Sequence, residues 1–412
     1  MTRETIRVGL DIGTTKIAAV VARIEDESSP KIIGVGTSPC EGLKRGVVVN
    51  LEKTVEGITR AVTDAERMAD VEIHDAYVGV AGDHIKSLNS RGVIAVSRSD
   101  HTITEKDIER VKDAARAIRL PDEREIIHLI PQEYIVDNQG GIKNPLDISG
   151  VRLEAEVHIV TGSITSIQNV VKCVNRAGIE VKDIVLQSLA SSISVLTRDE
   201  KELGCALLDI GGGTTDLAVF HDDAIRYTSV IGLGGKSVTS DIAIGLRTPI
   251  EHAEKIKVNH GCALRSMISK DVMIQVPGPG NREPRSMSPE ILGTIIEPRM
   301  EELFTLIKNE IEKNNYYSLL GAGAVLTGGA SLLRGSAELA EQILDMPVKV
   351  GYPTGFSGLN DIIENPSYAT VLGLILYADQ SLGGAEQIDG GGRAGMFGGM
   401  ANNLKKWFKD FI

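Results

Sequence analysis

Leu10-Asp11-Ile12-Gly13-Thr14-Thr15-Lys16-Ile17-Ala18 returns about 200 residues later as Leu208-Asp209-Ile210-Gly211-Gly212-Gly213-Thr214-Thr215-Asp216-Leu217-Ala218. Each copy reads as an apolar strand ending in Asp, a glycine turn, a hydroxyl pair and a second apolar strand running back. Alternation continues on both sides, with strands expected at 7–10, 16–24 and 31–37 and, in the second half, at 204–220 and 225–231. A strand, turn and strand repeated in two halves predicts two related α/β domains that face each other.

Size and composition agree. The chain has 412 residues, 42% of them apolar and 24% charged, which is ordinary for a globular protein with two substantial cores. Aromatic residues make up only 4%, so the cores must be built from aliphatic side chains. The net charge of −12 argues against nucleic acid as a partner of the whole chain. Four scattered cysteines, Cys40, Cys173, Cys205 and Cys262, show no metal-ligand spacing and read as reduced thiols of a cytosolic protein. The longest apolar run, around Ala369 to Ala378, is too short to span a bilayer and reads as a buried helix.

The first block continues to residue 81, and the texture changes at 85. An amphipathic helix is expected at 51–68 and a strand at 76–81. Residues 85–160 form a small α/β insert whose helix opens at Thr104-Glu105-Lys106-Asp107, a capping-box pattern with Asp at its fourth place. The helix expected at 187–196 is rich in small residues. Its expected partner starts at Asn365-Pro366 and carries Ala369 and Gly373 on one face, so the two backbones are expected to cross closely. Thr248-Pro249-Ile250-Glu251 reads as a capped helix start. Residues 277–289 read as an exposed loop, and Pro298 is expected to split the following segment into two helices. Residues 380–399 are glycine-rich and read as a flexible linker.

Glycines after a strand let backbone N–H groups turn towards phosphate oxygens. On that reading Gly13, Thr14, Thr15 and Lys16 in one half, with Gly211, Gly212, Gly213, Thr214 and Thr215 in the other, grip a polyphosphate. Asp11 and Asp209 would repel it alone, and make sense if Mg²⁺ lies between, held through water. Gly234, Gly235 and Lys236 offer another turn, and Gly328, Gly329 and Ser331 follow a strand where a flat ring can lie on the backbone. Glu254 and Lys257, three apart on one helix face, are placed to hold ribose hydroxyls or to form a plain solvated pair.

The ordered set resembles the actin-like ATPase superfamily: phosphate loops at 11–16 and 209–216, connecting helices at 187–196 and 366–377, and an adenosine motif at 326–331. Within it the chain resembles the FtsA family of bacterial cell-division proteins, from residue 6 to the C-terminus. Thr239-Ser240-Asp241-Ile242-Ala243 and Ile296-Glu297-Pro298-Arg299 carry that closer likeness. The resemblance implies an actin-like (ribonuclease H-like) two-domain α/β fold with an interdomain nucleotide cleft, an FtsA-type inserted subdomain and a C-terminal amphipathic helix. It implies subdomain 1A at 1–84, 161–198 and 355–379, and the inserted subdomain 1C at 85–160. Subdomain 2A falls at 199–236 and 306–354, and 2B at 237–305. The linker occupies 380–399, and a membrane-targeting helix 400–412.

The resemblance further implies ATP and Mg²⁺ as cofactors, with Gln187 and Asp216 as the groups that would position water in an at most weak ATPase. Implied partners are the C-terminal peptide of FtsZ, at Arg285 and Arg299, further copies of the chain, and later division proteins at 85–160. The implied location is the cytoplasmic face of the inner membrane at the septum. In the tail, Leu404, Trp407, Phe408, Phe411 and Ile412 share one helical face while Lys405, Lys406 and Lys409 lie off it, the signature of an interfacial helix on an anionic membrane. A PilM-like pilus-assembly homologue, a small-metabolite kinase of the same fold and a DnaK-type chaperone remain alternatives.

Overall fold

The computed structural model describes residues 5–25, 28–98, 100–268, 273–280 and 283–386. The tail expected at 400–412, and with it Leu404, Lys405, Lys406, Trp407, Phe408, Lys409, Phe411 and Ile412, lies outside the described residues.

The two halves repeat one plan. In the first sheet the order is Glu180–Leu186, Asp75–Val80, Thr5–Ile12, Lys16–Ile24 and Lys31–Pro39, with Ser357–Gly358 added at the edge. In the second it is Val348–Val350, Ala324–Thr327, Cys205–Ile210, Thr215–His221 and Ala224–Ile231. Each half begins with three antiparallel strands in hairpin order and then adds two strands parallel to the first. Helices make the parallel crossovers, as that geometry requires. The central strands are buried on both faces: Ile17 through Ala22 are all solvent-inaccessible. That explains their unbroken aliphatic composition.

Leu51–Ala69 covers the first sheet. Asn50 caps it by accepting from Lys53 N at 3.1 Å, and Ile58, Ala61, Val62 and Ala65 face inward. Gln187–Val195 and Ala369–Glu386 follow the last strand of each half and cross between the sheets. Gly373 makes the crossing possible, because a β-carbon there would lie 1.9 Å from Ala190 O. Asn365 caps the short turn before the second helix, accepting from Ser367 N at 3.0 Å.

A four-stranded antiparallel sheet, in the order Lys86–Ala95, Arg152–Ser163, Arg124–Val136 and Gln139–Ile142, is carried as an insert. The helix Glu105–Arg116 lies on it. The Asp107 carboxylate reaches back to accept from Thr104 N at 3.1 Å and Thr104 Oγ1 at 2.6 Å. This sheet meets the second half through polar contacts. Gln132 Nε2 donates to Ile225 O at 2.7 Å and Ser87 Oγ to Thr228 O at 2.8 Å. His158 spans Asn89 Oδ1 at 2.7 Å and Thr228 Oγ1 at 3.0 Å, and burial lowers its pKa to about 4, so it is a neutral hydrogen-bonding joint.

Several expectations are corrected. Pro298 does not split its segment: Pro289–Lys313 is one 25-residue helix. Leu292, Ile296, Met300, Leu303, Phe304, Ile307 and Ile311 are buried along it, and that burial outweighs the ~3 kcal/mol cost of an interior proline. Thr248 does not cap the next helix. Its hydroxyl donates to Pro277 O at 2.7 Å, and the helix starts at Ile250 behind Pro249. The stretch expected as a loop contains Arg285–Met287, paired with Ile274–Val276. The final helix runs on to Glu386 and takes the first residues of the expected linker. Glycines at 383 and 384 cost ~1 kcal/mol each but do not end a helix already nucleated. The strand Glu180–Leu186 and the helices Gly235–Leu246 and Ser336–Leu344 were not foreseen.

Candidate functional site

The two hairpin turns meet between the halves. Gly13 N donates to Lys16 O at 3.0 Å and Gly211 N to Thr214 O at 2.9 Å, so both turns have the same length and closure. This changes the alignment expected from the letters. Lys16 is the counterpart of Thr214, and Thr14 and Thr15 are the counterparts of Gly212 and Gly213, so the hydroxyl pairs do not match. The tips pack against one another. A β-carbon at Gly212 would lie 2.3 Å from Thr15 Cγ2, and one at Gly213 2.7 Å from Thr14 Cγ2 and Oγ1. Threonines on one tip require glycines on the other.

Around the tips lie two adjoining cavities. The smaller, about 110 Å³, is lined by Asp11, Gly13, Thr14, Thr15, Lys16 and Gln187 from the first half. Asp209, Gly211, Gly212, Gly213, Thr214, Asp216, Gly328 and Gly329 close it from the second. The larger, about 510 Å³, is lined by Gly235, Lys236, Glu254 and Lys257 with apolar Val238, Val258, Met300, Leu332 and Leu333. Its size is that of a small-ligand pocket.

Three expected residues point elsewhere. The buried Thr215 hydroxyl donates to Leu233 O at 2.9 Å, because the residue after the turn already belongs to the strand and faces the sheet's far side. Ser331 is buried and donates to Gly328 O at 2.7 Å, which closes the turn after the strand. Gly234 lies beneath the second turn, where a β-carbon would be 2.6 Å from Gly211 O. Gly46, Ala81, Ser367 and Thr370 line the smaller cavity without having been foreseen. Ala81 closes the strand expected at 76–81, and the others come from segments whose sequence reads only as turns or a helix start.

Charge is concentrated at the smaller cavity. Gln187 Nε2 donates to Asp11 Oδ1 at 2.8 Å. Burial raises the Asp11 pKa to about 7 against the pull of Lys16, with Asp209 adding to the rise. Burial also raises Asp209, opposed by hydrogen bonds from the Ser191 and Thr370 hydroxyls. Asp216 stands well above the usual carboxylate range through burial and the nearby Asp209 and Asp11. Its Oδ1 is buried without a hydrogen-bond partner. Burial lowers Lys16 to about 8, opposed by Asp11 and Asp209. The Lys16 ammonium donates to Ser367 O at 2.8 Å and lies 3.7 Å from the Tyr368 ring centre. Among the described residues no three His, Cys, Asp or Glu side chains converge to ligate a metal directly.

The Asp11 shift makes a prediction for the protein without ligand. A carboxyl whose pKa rises on folding favours the folded state while protonated, and that contribution disappears as pH climbs through about 7. Asp11→Asn keeps an acceptor for Gln187 without the charge. Relative to wild type it is expected to gain about 1–3 kcal/mol at pH 8 and much less at pH 5. Denaturant unfolding at the two pH values measures the difference.

Across the larger cavity Lys257 Nζ donates to Glu254 Oε2 at 2.8 Å, Thr239 Oγ1 at 2.9 Å and Gly235 O at 3.1 Å. Lys236 Nζ reaches over the cleft to Thr14 O at 3.0 Å. Arg285 and Arg299 line neither cavity. Arg299 donates to Asp241 at 2.6 and 3.1 Å and also to Glu302, and Arg285 donates to Leu246 O.

Comparison with known proteins identifies this architecture. The family description "Cell division protein FtsA" matches residues 206–373, and "SHS2 domain inserted in FTSA" matches residues 82–161. The cell division protein FtsA of Pseudomonas aeruginosa is 50% identical over 373 residues, covering 90% of this chain and 89% of that protein. The chain belongs to the FtsA family. FtsA of Escherichia coli K12 is 42% identical over 416 aligned positions, covering 99% of this chain and 98% of that protein. Among solved structures, a chain of the PilM–PilN type IV pilus biogenesis complex superposes with TM-score 0.65 at 17% identity, covering 90% of this chain and 98% of that one. MreB5 of Spiroplasma citri bound to ADP gives 0.53 at 15%, covering 94% and 99%. These last two show the actin-like fold alone, whereas the FtsA relatives decide for cell division over pilus assembly.

Proposed function

We propose that this chain is an ATP-dependent membrane adaptor of cell division: it holds ATP with Mg²⁺ between its halves, assembles with copies of itself, and tethers FtsZ filaments to the cytoplasmic face of the membrane at the septum. One observation carries the nucleotide part. Two interlocked glycine turns enclose a small, carboxylate-lined cavity that opens into a larger one with an apolar wall and a Glu254–Lys257 pair. Phosphates suit the first and a nucleoside the second. The solved structure of a Spiroplasma citri MreB5 with ADP supports the reading by analogy of fold.

The donor set fits a hydrated divalent cation. Asp216 has a buried oxygen without a partner, and burial raises the pKa of Asp11 and Asp209 against the nearby Lys16, so the site can take further positive charge. Mg²⁺ supplies that charge and neutralises phosphate oxygens while keeping several waters. Asp11 and Asp209 hold it through water. Lys16 and the backbone N–H groups of the turn tips bind and orient the phosphates, and Glu254 and Lys257 take the ribose. Any hydrolysis falls to Gln187, oriented by Asp11, and to Asp216.

The tail supplies the membrane contact. No helix among the described residues is long and apolar enough to cross a membrane. Five apolar side chains at ~1.5–3 kcal/mol each give roughly 10 kcal/mol gross on insertion, much of which is offset by ordering about a dozen residues. Each lysine adds about 1 kcal/mol at an anionic surface. One tail therefore binds weakly, and many tails on one polymer bind firmly. FtsZ binds at the 237–305 segment, near Arg285 and Arg299, and later division proteins at the 85–160 insert. Removing residues 400–412 is expected to abolish flotation with anionic liposomes and leave ATP binding unchanged. Flotation that survives the deletion rules out the tail as anchor, and an FtsZ peptide that binds Arg285→Ala and Arg299→Ala as tightly as wild type rules out those contacts.

A further inference from the structure

The ribbon Leu43–Lys44 with Val47–Val48 turns through Arg45 and Gly46. Two-residue hairpin loops favour turns with positive φ at both places, which is why Asn-Gly is common there. Here φ is 49° at Arg45 and 77° at Gly46. Arginine is poorly suited to left-handed backbone, and such a residue persists where its surroundings over-determine it.

Those surroundings are the turn after Asp75–Val80 and the far half of the molecule. Arg45 O accepts from Asp83 N at 3.4 Å, and the Arg45 guanidinium lies 3.7 Å from the Asp83 carboxylate. The two turns touch backbone to backbone. A β-carbon at Gly46 would lie 2.3 Å from Ala81 O, and one at Gly82 2.6 Å from Arg45 O. Across the cleft, a β-carbon at Gly232 would lie 3.3 Å from Asp83 Oδ1 and 3.5 Å from Arg45 Nη1. The pair therefore lies where the halves meet, with each side chain about half exposed.

Its position along the cleft gives it a role. Thr15, Lys16, Gly211, Gly212, Gly329 and Ser367 line both cavities. Gly46 and Ala81, with Gln187 and Asp216, line only the smaller one. Gly46 N also donates to Thr14 Oγ1 at 3.3 Å, so the ribbon is joined to the first turn tip and borders the cavity that suits phosphates, not the one that suits a nucleoside.

We propose that Arg45, paired with Asp83, is a positioning residue that sets this ribbon against the terminal phosphate and makes the cleft prefer ATP to ADP. The inference rests on the nucleotide reading above. Calorimetric titration of the full chain with Mg²⁺–ATP and with Mg²⁺–ADP tests it, using wild type, Arg45→Asn and Asp83→Asn. Asparagine suits left-handed backbone, so Arg45→Asn keeps the turn and removes the charge. In both variants ATP affinity is expected to fall about tenfold and ADP affinity to change less than about twofold. An unchanged ATP-to-ADP ratio, or equal weakening of both nucleotides, overturns the role of Arg45. A wild-type chain that takes up neither nucleotide overturns the nucleotide reading itself and this inference with it.

Discussion

Gly373→Ala is expected to lower the unfolding temperature sharply and to leave little native protein under mild heating. At an exposed helical position the same change stabilises by about 1 kcal/mol, since alanine is the better helix former. Here the added carbon would lie 1.9 Å from Ala190 O and 2.3 Å from its carbonyl carbon. Those are backbone atoms and cannot rotate aside. The helices Gln187–Val195 and Ala369–Glu386 must separate, which breaks the bond from Ser194 Oγ to Ala369 O at 2.7 Å and the Ser191–Thr370 hydroxyl contact at 3.1 Å. Overpacking of ~1–3 kcal/mol plus two lost buried hydrogen bonds of ~1 kcal/mol each gives a loss of about 3–5 kcal/mol. Against a total stability of ~5–15 kcal/mol that is a large fraction. Thermal unfolding followed by circular dichroism measures it. A variant as stable as wild type, or more so, contradicts the close crossing.

Gly212→Val has the opposite profile: the chain is expected to fold and to lose nucleotide. Gly212 sits at a turn tip where its β-carbon would be 2.3 Å from Thr15 Cγ2 and 2.5 Å from Thr15 Oγ1. Those are side-chain atoms, so the strain is relieved when the halves part, and neither sheet is disturbed. Parting them separates the two sets of proposed phosphate donors. The expected loss of ATP affinity is about hundredfold, or about 2.7 kcal/mol, with thermal unfolding of the nucleotide-free chain within a few degrees of wild type. Thr15→Ala in the same chain removes the obstructing atoms and is expected to restore part of the affinity. Calorimetry on the three proteins separates these outcomes. Tight ATP binding by Gly212→Val alone shows that the tips need not approach to hold phosphate.

The parts of this fold that sequence discloses are those where local chemistry and tertiary placement agree. The two hairpins are legible because their strands are aliphatic without a break and their turns carry glycine, and the small residues of 187–196 and 369–373 announce a close helix crossing. The legible features stop where the same letters serve different geometry. Thr14-Thr15 and Thr214-Thr215 look equivalent, but the bonds Gly13 N to Lys16 O and Gly211 N to Thr214 O put Thr214 opposite Lys16 and send Thr215 into the sheet. Pro298 looks like a break, yet seven buried apolar side chains along Pro289–Lys313 hold the helix through it. Gly235–Leu246 escaped notice because it presents Gly, Ser and Thr beside its apolar residues, and only packing against Ile250–His260 and Pro289–Lys313 reveals which face is inside. Arg45 leaves no trace in sequence, since nothing in an Arg-Gly pair announces a left-handed arginine.

The same contrast holds within the cleft. Asp11, Asp209, Gly212 and Gly213 are where repetition placed them, and Gln187 and Asp216 join them from a helix start and a returning strand. Ser331 and Gly234 are not free for a ligand, because each already serves the turn it belongs to. Arg299 spends its charge on Asp241 and Glu302, so an acidic partner there must displace or supplement those carboxylates. A mildly salt-sensitive contact follows, since the exposed share of that charge is screened.

Equilibrium dialysis of labelled ATP against the folded wild-type chain, with Mg²⁺ and again after its chelation, tests the paired-turn cleft most directly. The expected result is saturation near about one nucleotide per chain with Mg²⁺ and a marked loss of uptake without it. Absence of uptake by folded protein in saturating Mg²⁺ contradicts the account.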